Sequence, residues 1–441
     1  MREDELRRLC DMEAGTLHPT IYTDEDIYRE ELDRIFGRAW VLLCPEQQIP
    51  NPGDFFTTYV GADRVIVVRQ KDGSVKGLLN QCRHRGNELV RPDSGNTKMF
   101  TCSYHGWSYD LAGNLRNVPH EDIVFPHGFD KAPWGCGAMA QVDTYKGLVF
   151  GTWDPTAPPL PEYIGDAAHY LDIVLDRFDG GLEMAGGVNK WIIKANWKIL
   201  AEQFASDMVH PETAHVSAVL ASLPKDFDLT QLTGDAGGRQ FSTAQGHGGG
   251  MWTEGPLLDL TFGPKIAQFW RDSQPEAARR LGASRADVLL SHMNIFPASI
   301  AFVTFHHIRV LHPVAVDETE IWTWNLVPAR LPVEMKREWA AASQRAFGAG
   351  GLFEADDSAV WAGIQRTLRG VMGRRNPFVA QMGDRHGGDA DPTYPGRVAR
   401  TPYSEGAARA FYQRWVEMLT HDTWTDLERA SNARFAEGTL R

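Results

Sequence analysis

Two short stretches decide the reading of this chain: Gln81-Cys82-Arg83-His84-Arg85-Gly86 and Thr101-Cys102-Ser103-Tyr104-His105-Gly106-Trp107. As spacings they are C-x-H, then 17 residues, then C-x-x-H. Each puts one thiolate and one imidazole on a short loop, and two such loops can meet at one metal centre. In a [2Fe–2S] centre of this composition one iron takes both sulfurs and the other both ring nitrogens. Neutral imidazole in place of thiolate removes negative charge and raises the reduction potential. A structural zinc site uses the same four donors but more often pairs like with like, C-x-x-C and then H-x-x-x-H. The pattern therefore points to an iron–sulfur cluster on Cys82, His84, Cys102 and His105, with Gly86 and Gly106 allowing tight loops beneath it. Cys10, Cys44 and Cys136 lack histidine company and read as ordinary buried or half-buried thiols. Five cysteines, an odd and sparse number, argue against a disulfide framework.

Outward from this motif the texture is β. Arg64–Gln70 is strand-like, Asp72-Gly73 turns the chain into Ser74–Asn80, Gly113-Asn114 marks another turn, and Gly147–Trp153 is an apolar strand. Residues 40–154 thus form a small all-β unit. Asp154-Pro155-Thr156-Ala157-Pro158-Pro159 is a stiff connector of the kind found at domain boundaries. Before the unit, residues 23–36 read as a helix capped by Thr23. Beyond the connector, Trp191–Ala195 is extended and Ile199–Val209 helical. Ala301–Val310 and Glu318–Val327 alternate as strands, and Glu334–Phe347 and Ala407–Leu419 are amphipathic helices. The run Gln245-Gly246-His247-Gly248-Gly249-Gly250 reads as a mobile loop, since no strand–turn–helix frame makes it a phosphate cradle.

Composition narrows the function classes. In 441 residues, 43% are hydrophobic and 23% charged, ample for two soluble domains. A net charge of −12 argues against a general nucleic-acid binder. The opening Met1-Arg2-Glu3-Asp4-Glu5 does not resemble a signal peptide, and no apolar run reaches transmembrane length. The expectation is a cytoplasmic protein with no membrane segment.

A second constellation lies in Asn196–His215, where His210 and His215 are five apart. On an unbroken helix five residues rotate by about 140°, so the two rings would not share a face. Pro211 disfavours helix at its predecessor, and a chain turning back there can bring both imidazoles to one ion. Asp207, three residues before His210, can accept the spare ring N–H. Two histidines plus a carboxylate make the open-sided site of a non-haem Fe(II) oxygenase, and Asp356-Asp357 supplies carboxylate candidates.

With these residues in view, the chain resembles the large (α) subunit of Rieske non-haem iron aromatic-ring-hydroxylating dioxygenases, of the biphenyl/phenylpropionate/naphthalene-type branch. The resemblance covers the Cys82–His105 motif, the Gly147–Trp153 strand, Asn196–His215 and Phe347–Asp357. The run Ala201-Glu202-Gln203-Phe204-Ala205-Ser206-Asp207 places it near the biphenyl/phenylpropionate members. It implies an α+β fold: a Rieske [2Fe–2S] domain at 40–154, and a catalytic domain from 1–39 and 155–441 with an antiparallel sheet flanked by helices. It implies that His210, His215 and Asp357 hold the mononuclear iron. It implies a three-fold α/β assembly with a β subunit, in which Asp207 bonds the neighbouring subunit's His105 and so links one cluster to the next iron. The pocket candidates it implies are Gln203, Phe204, Met208, Phe305, Phe347 and Phe353. His306 and His307 follow Phe305 on an alternating strand, so only one can face inward with a given neighbour. A histidine there can meet a carboxylate or hydroxyl on the substrate, but the expected role is that of a satisfied surface histidine.

The implied activity is addition of both atoms of O2 to one face of an aromatic ring as a cis-dihydrodiol. Electrons come from NADH through a separate reductase and a ferredoxin; no dinucleotide fingerprint occurs here. Arg83, Arg85, Arg91, Lys98 and Arg116, against Glu88, Asp93 and Asp110, give a locally basic stretch suited to an acidic ferredoxin. Pro211 departs from the family's usual small residue after the first iron ligand, which changes the mouth of the implied pocket. The same iron centres also serve monohydroxylases, of an aromatic acid such as a salicylate for example, and demethylases. A Rieske electron carrier would have no use for the Asn196–His215 block, and a zinc-stabilised binding protein is more remote still.

Overall fold

The computed structural model describes residues 3–223, 225–226, 237–254, 257–383 and 387–437. The chain divides into two compact units, Phe36–Leu160 and a second formed from the chain on either side of it.

In the first unit, Asp63–Arg69 is an inner strand of a four-stranded sheet ordered Val75–Leu79, Asp63–Arg69, Asp54–Val60, Ser94–Asn96. Val65, Ile66, Val67 and Val68 are all buried, so a continuous β-branched run, rather than an alternating one, fits this strand covered on both faces. The hairpin at Asp72-Gly73 pairs Arg69 with Val75 and Val65 with Leu79. Leu148–Thr152 lies between Gln141–Tyr145 and Val41–Pro45. A third small sheet joins Phe100–Thr101, Ser108–Tyr109 and Leu115–Asn117, and its first hairpin carries residues 102–107 at its tip. Phe55, Ile66, Leu78, Phe100, Trp107 and Leu115 pack into one core with Cys82 and Cys102. That core anchors both loops of the first motif.

The second unit is built on an antiparallel sheet whose middle runs Glu318–Pro328, His307–Ala315, Ser299–Phe302, Leu290–Ile295, Gly248–Trp252, Arg239–Ser242. Helix Trp197–Ser206 packs across Leu290–Ile295 and Gly248–Trp252, with helix Gly406–Thr420 beside it. Asn196 caps Trp197–Ser206 through the Lys198 N–H at 3.1 Å. Almost every residue of this helix is buried, even Lys198, whose ammonium meets Glu31 at 2.5 Å while Trp197 and Trp415 donate to the same carboxylate. Among the described residues, no helix is long and apolar enough to cross a membrane.

Four expectations are corrected here. The glycine run is a loop only in its first half: residues 245–247 lie in a turn closed by the Gly246 N–H to Thr243 O bond, and Gly248–Trp252 is a buried inner strand. A Cβ on Gly250 would lie within 2.2 Å of Met208 Cγ, and one on Gly248 within 2.8 Å of the Ala205 carbonyl. The missing side chains let the helix that leads to Asp207 lie against the sheet. Second, Ala301–Val310 is not one strand. Ser299–Phe302 ends, a turn closed by the His306 N–H to Val303 O bond follows, and His307–Ala315 begins. His306 takes a positive φ of 45° there, and both His306 and His307 are buried rather than at the surface. Third, Asp24 rather than Thr23 caps the first helix of 23–36, and the helix passes into a π turn at Leu32–Phe36. Fourth, the helix expected over Ile199–Val209 stops at Ser206, so Asp207 already has extended backbone when it meets His210.

Helices Gly406–Thr420 and Trp424–Glu437 are joined by a buried carboxylate. Glu417 accepts from Arg434 Nε at 2.8 Å and from the Ser431 hydroxyl at 2.5 Å. Burial alone raises its carboxyl, but Arg434, with Arg414 and Ser431, reverses this and holds it below the ordinary range. A carboxylate depressed in the folded state contributes stability that is present above its unfolded value of about 4.3 and is lost as pH falls through the folded value. Thermal melts followed by circular dichroism should therefore show wild-type Tm falling in that window. Glu417→Gln, which leaves Arg434 without its charged partner, should melt lower at pH 7 by the equivalent of ~3–5 kcal/mol and vary less with pH below about 5. Parallel Tm profiles for the two proteins would refute this.

Candidate metal centres

The two cysteine loops are near copies in backbone terms. Cys82 N–H donates to Asn87 O and Cys102 N–H to Trp107 O; Gly86 N–H returns to Cys82 O and Gly106 N–H to Cys102 O. These returns put Gly86 and Gly106 at φ of 75° and 73°, where a side chain would be strained. Both thiols are buried, and the two histidines sit exposed at the loop tips, their Nδ1 atoms 3.1 Å apart. Tyr109 accepts the Arg83 N–H at 3.0 Å and sets its hydroxyl 3.4 Å from Cys82 Sγ, while Asn87 Nδ2 donates to Cys102 Sγ at 3.6 Å. Trp107 stacks on His84 with ring centroids 4.9 Å apart and planes 8° from parallel. Two soft donors on the inside and two imidazoles on the outside fit a mixed-ligand cluster. The donors to sulfur stabilise thiolate over thiol.

The second group lies in the other unit. After Asp207 a short 3-10 turn, His210–Glu212, precedes helix Val216–Ser222, and this break brings the His210 and His215 rings to 5.0 Å between centroids. Asp357 comes from helix Leu352–Thr367. His210 Nε2 and His215 Nε2 each lie 3.4 Å from Asp357 Oδ1, and the three donor atoms fall within 4.8 Å of one another. The outer nitrogens also face carboxylates. His215 Nδ1 is 3.2 Å from Asp356 Oδ2, and His210 Nδ1 is 3.3 Å from Asp207 Oδ2, a contact without the alignment of a full hydrogen bond. Asp207 Oδ1 accepts the backbone N–H groups of Val209 and His210.

Electrostatics suit a divalent cation here. Burial pushes the Asp357 carboxyl up to about 7 despite the pull of His210, and burial, with His210 beside it, takes His215 down to about 4. A neutral imidazole is the ligating form, and a dication would return the buried carboxyl to its anion. Gln203 Nε2 donates to Asp357 Oδ1 at 3.1 Å, and Trp361 Nε1 donates to Gln203 Oε1 at 2.6 Å. Gln203, expected as a pocket wall, is thus tied to the carboxylate.

An aromatic train leads away from this group. His215 touches Phe353 at 5.0 Å between centroids, Phe353 touches Phe347 at 5.4 Å, and Phe347 touches Phe305 at 4.7 Å and Phe302 at 5.0 Å. Phe204 joins it through Phe302 at 5.5 Å. Met208 is buried against Gly250. Phe302, Trp361, Tyr109 and Asn87 were not singled out from sequence. Trp361 sits one helical turn after Asp357, a spacing that could have flagged it; Tyr109 meets Cys82 only through the fold. A separate cavity of about 480 Å³, lined in part by Glu254, Asp259, Arg271 and Asp287, shares no residue with the donor group.

Comparison with known proteins fits this geometry. Residues 39–127 match the Rieske [2Fe–2S] domain, and residues 162–421 match the ring hydroxylating alpha subunit catalytic domain. The chain belongs to the ring-hydroxylating α-subunit family. It is 45% identical to the biphenyl 2,3-dioxygenase subunit alpha of Rhodococcus jostii, covering 99% of this chain and 95% of that one. It is likewise 45% identical to a benzene 1,2-dioxygenase subunit alpha of Pseudomonas putida, covering 96% and 95%. Naphthalene 1,2-dioxygenase with indole bound superposes with a TM-score of 0.91 at 31% identity, over 100% of this chain and 99% of that one. As an α subunit of this family the chain is a terminal oxygenase of the ring-hydroxylating dioxygenase type, with a Rieske [2Fe–2S] cluster and a mononuclear iron.

Proposed function

We propose that this subunit cis-dihydroxylates a one- or two-ring aromatic compound, with Fe(II) on His210, His215 and Asp357 and the cluster on Cys82, His84, Cys102 and His105. The observation that carries the reading is the convergence of His210 Nε2, His215 Nε2 and Asp357 Oδ1 at the head of an aromatic train. When bound, the ferrous ion and the cluster together supply reductive activation of O2. The protein's own groups prepare the site. Asp356 and Asp207 favour the proton on Nδ1 of each imidazole, so both Nε2 lone pairs face inward. Trp361 and Gln203 fix the rotamer of Asp357. Three protein ligands leave positions open for the reactants. Phe204, Phe305, Phe347, Phe353 and Met208 form the apolar wall that holds the ring and excludes water.

The partners follow from the same reading: a ferredoxin, an NADH-dependent reductase and a β subunit in a three-fold α/β assembly, with cytoplasmic location. Arg83, Arg85, Arg91 and Lys98 are exposed around the cluster loops, which suits an acidic ferredoxin. Asp207, beside His210, is the residue assigned to the electron route. Turnover of biphenyl or naphthalene under ¹⁸O2, with ferredoxin and reductase supplied, should give a cis-diol carrying both labelled atoms. A product with one labelled atom would replace this reading with the monohydroxylase one.

A further inference from the structure

The aromatic train carries a polar point that the mechanism does not use. His292, Phe302 and His307 stand in one row across three adjacent strands, paired His292 to Phe302 and Phe302 to His307. The row faces helix Trp197–Ser206, because His292 Nδ1 bonds the Phe204 carbonyl at 2.8 Å. His307 is fully buried, with its ring 4.5 Å from Phe302, 5.5 Å from Phe347 and 6.3 Å from Phe305. Among the described residues neither of its ring nitrogens has a hydrogen-bond partner, and His292 Nε2 has none either. A buried polar group left unmet costs free energy, and native chains rarely keep one without a use.

We infer that His307 is a substrate-binding residue that hydrogen-bonds a neutral oxygen-bearing substituent on the aromatic ring, so that the preferred substrate is a hydroxylated or carbonyl-bearing aromatic rather than a bare hydrocarbon. This rests on the dioxygenase reading above. Burial, with Arg309 and His306 nearby, holds the His307 imidazolium well below its ordinary pKa, so the ring is neutral. A neutral imidazole offers one N–H and one lone pair, a match for a hydroxyl that both donates and accepts. A carboxylate fits less well. The charge of Arg309 is already matched by Glu354 at 2.7 Å, so an anionic substituent would add a net negative charge to a buried site. The surrounding rings of Phe302, Phe305 and Phe347 hold the aromatic body, and His307 fixes which edge points toward Phe353 and the donor group.

The test uses the holoenzyme with biphenyl and the three hydroxybiphenyl isomers, measuring Kd by calorimetry on the oxidised protein and kcat/KM by competition with ferredoxin, reductase, NADH and O2 supplied. Wild type should prefer at least one isomer over biphenyl by ~10- to 100-fold. His307→Leu should reduce that ratio to about one, and His307→Asn should restore part of it. Without substrate, His307→Leu should melt no lower than wild type, since an apolar side chain replaces an unmet polar one. Equal ratios in wild type and His307→Leu would overturn the proposal, showing that the imidazole is satisfied by water alone. Ring oxidation of biphenyl with no preference among the isomers would also overturn it while leaving the dioxygenase reading intact. Oxidation of none of the four compounds would remove both.

Discussion

Asp357→Ala is expected to lower iron from about three atoms per chain to about two while acid-labile sulfide stays at about two and the cluster's visible absorption survives. Ring oxidation should fall by at least ~10³-fold. The expectation follows from the position of Asp357 Oδ1, 3.4 Å from both inward Nε2 atoms and held by Gln203. Asp356, the nearest alternative, is turned toward His215 Nδ1 and cannot replace it without abandoning that contact. Asp356→Ala should therefore be milder, with iron affinity reduced ~10- to 100-fold, as for removal of a group that orients a ligand. The two variants separate ligand from orienter. If Asp357→Ala kept a full complement of iron and Asp356→Ala lost it, the assignment within the Asp-Asp pair would be reversed.

Much of this was legible in the sequence, and the parts that were not share a cause. The cluster loops were legible because their donors and turn glycines all fall within seven residues of chain at each loop, 81–86 and 101–107. The hairpin at Asp72-Gly73 and helices 334–347 and 407–419 were legible because local pattern and tertiary environment agree. The glycine run was misread because its conformation is set by what packs on it. Gly248–Gly250 form a strand where helix Trp197–Ser206 and Met208 need the space. His307 was misplaced for a related reason. A turn at 303–306 shifts the alternation expected over Ala301–Val310, so both histidines can be buried. Trp361, Gln203 and Asp357 form a hydrogen-bonded chain between two helices more than 150 residues apart, as the Gln203–Asp357 separation of 154 shows. Local periodicity carries no information about such a contact.

The same distinction between local and distant signal shapes the expectation for Asp207. Asp207→Ala should retain most of the cluster and the mononuclear iron yet lose coupled turnover by at least ~100-fold. Neither donor set contains this carboxylate. It closes the turn through the Val209 and His210 N–H groups and presents Oδ2 to His210 Nδ1. Burial raises its carboxyl, but the His210 ring and those N–H groups more than offset this and hold it below the ordinary range, so it remains an anion suited to accept an imidazole N–H. Alanine removes the turn closure and the anion together. Asp207→Asn separates them, because the amide oxygen can still accept both backbone N–H groups while the amide NH2 meets the imidazole N–H donor to donor. If the anion itself matters, Asp207→Asn should be nearly as impaired as Asp207→Ala. Rapid mixing of the reduced protein with substrate and O2 should then show slow cluster reoxidation in both variants. Reoxidation at the wild-type rate in Asp207→Asn would place the electron route through other residues and reduce Asp207 to a turn-former.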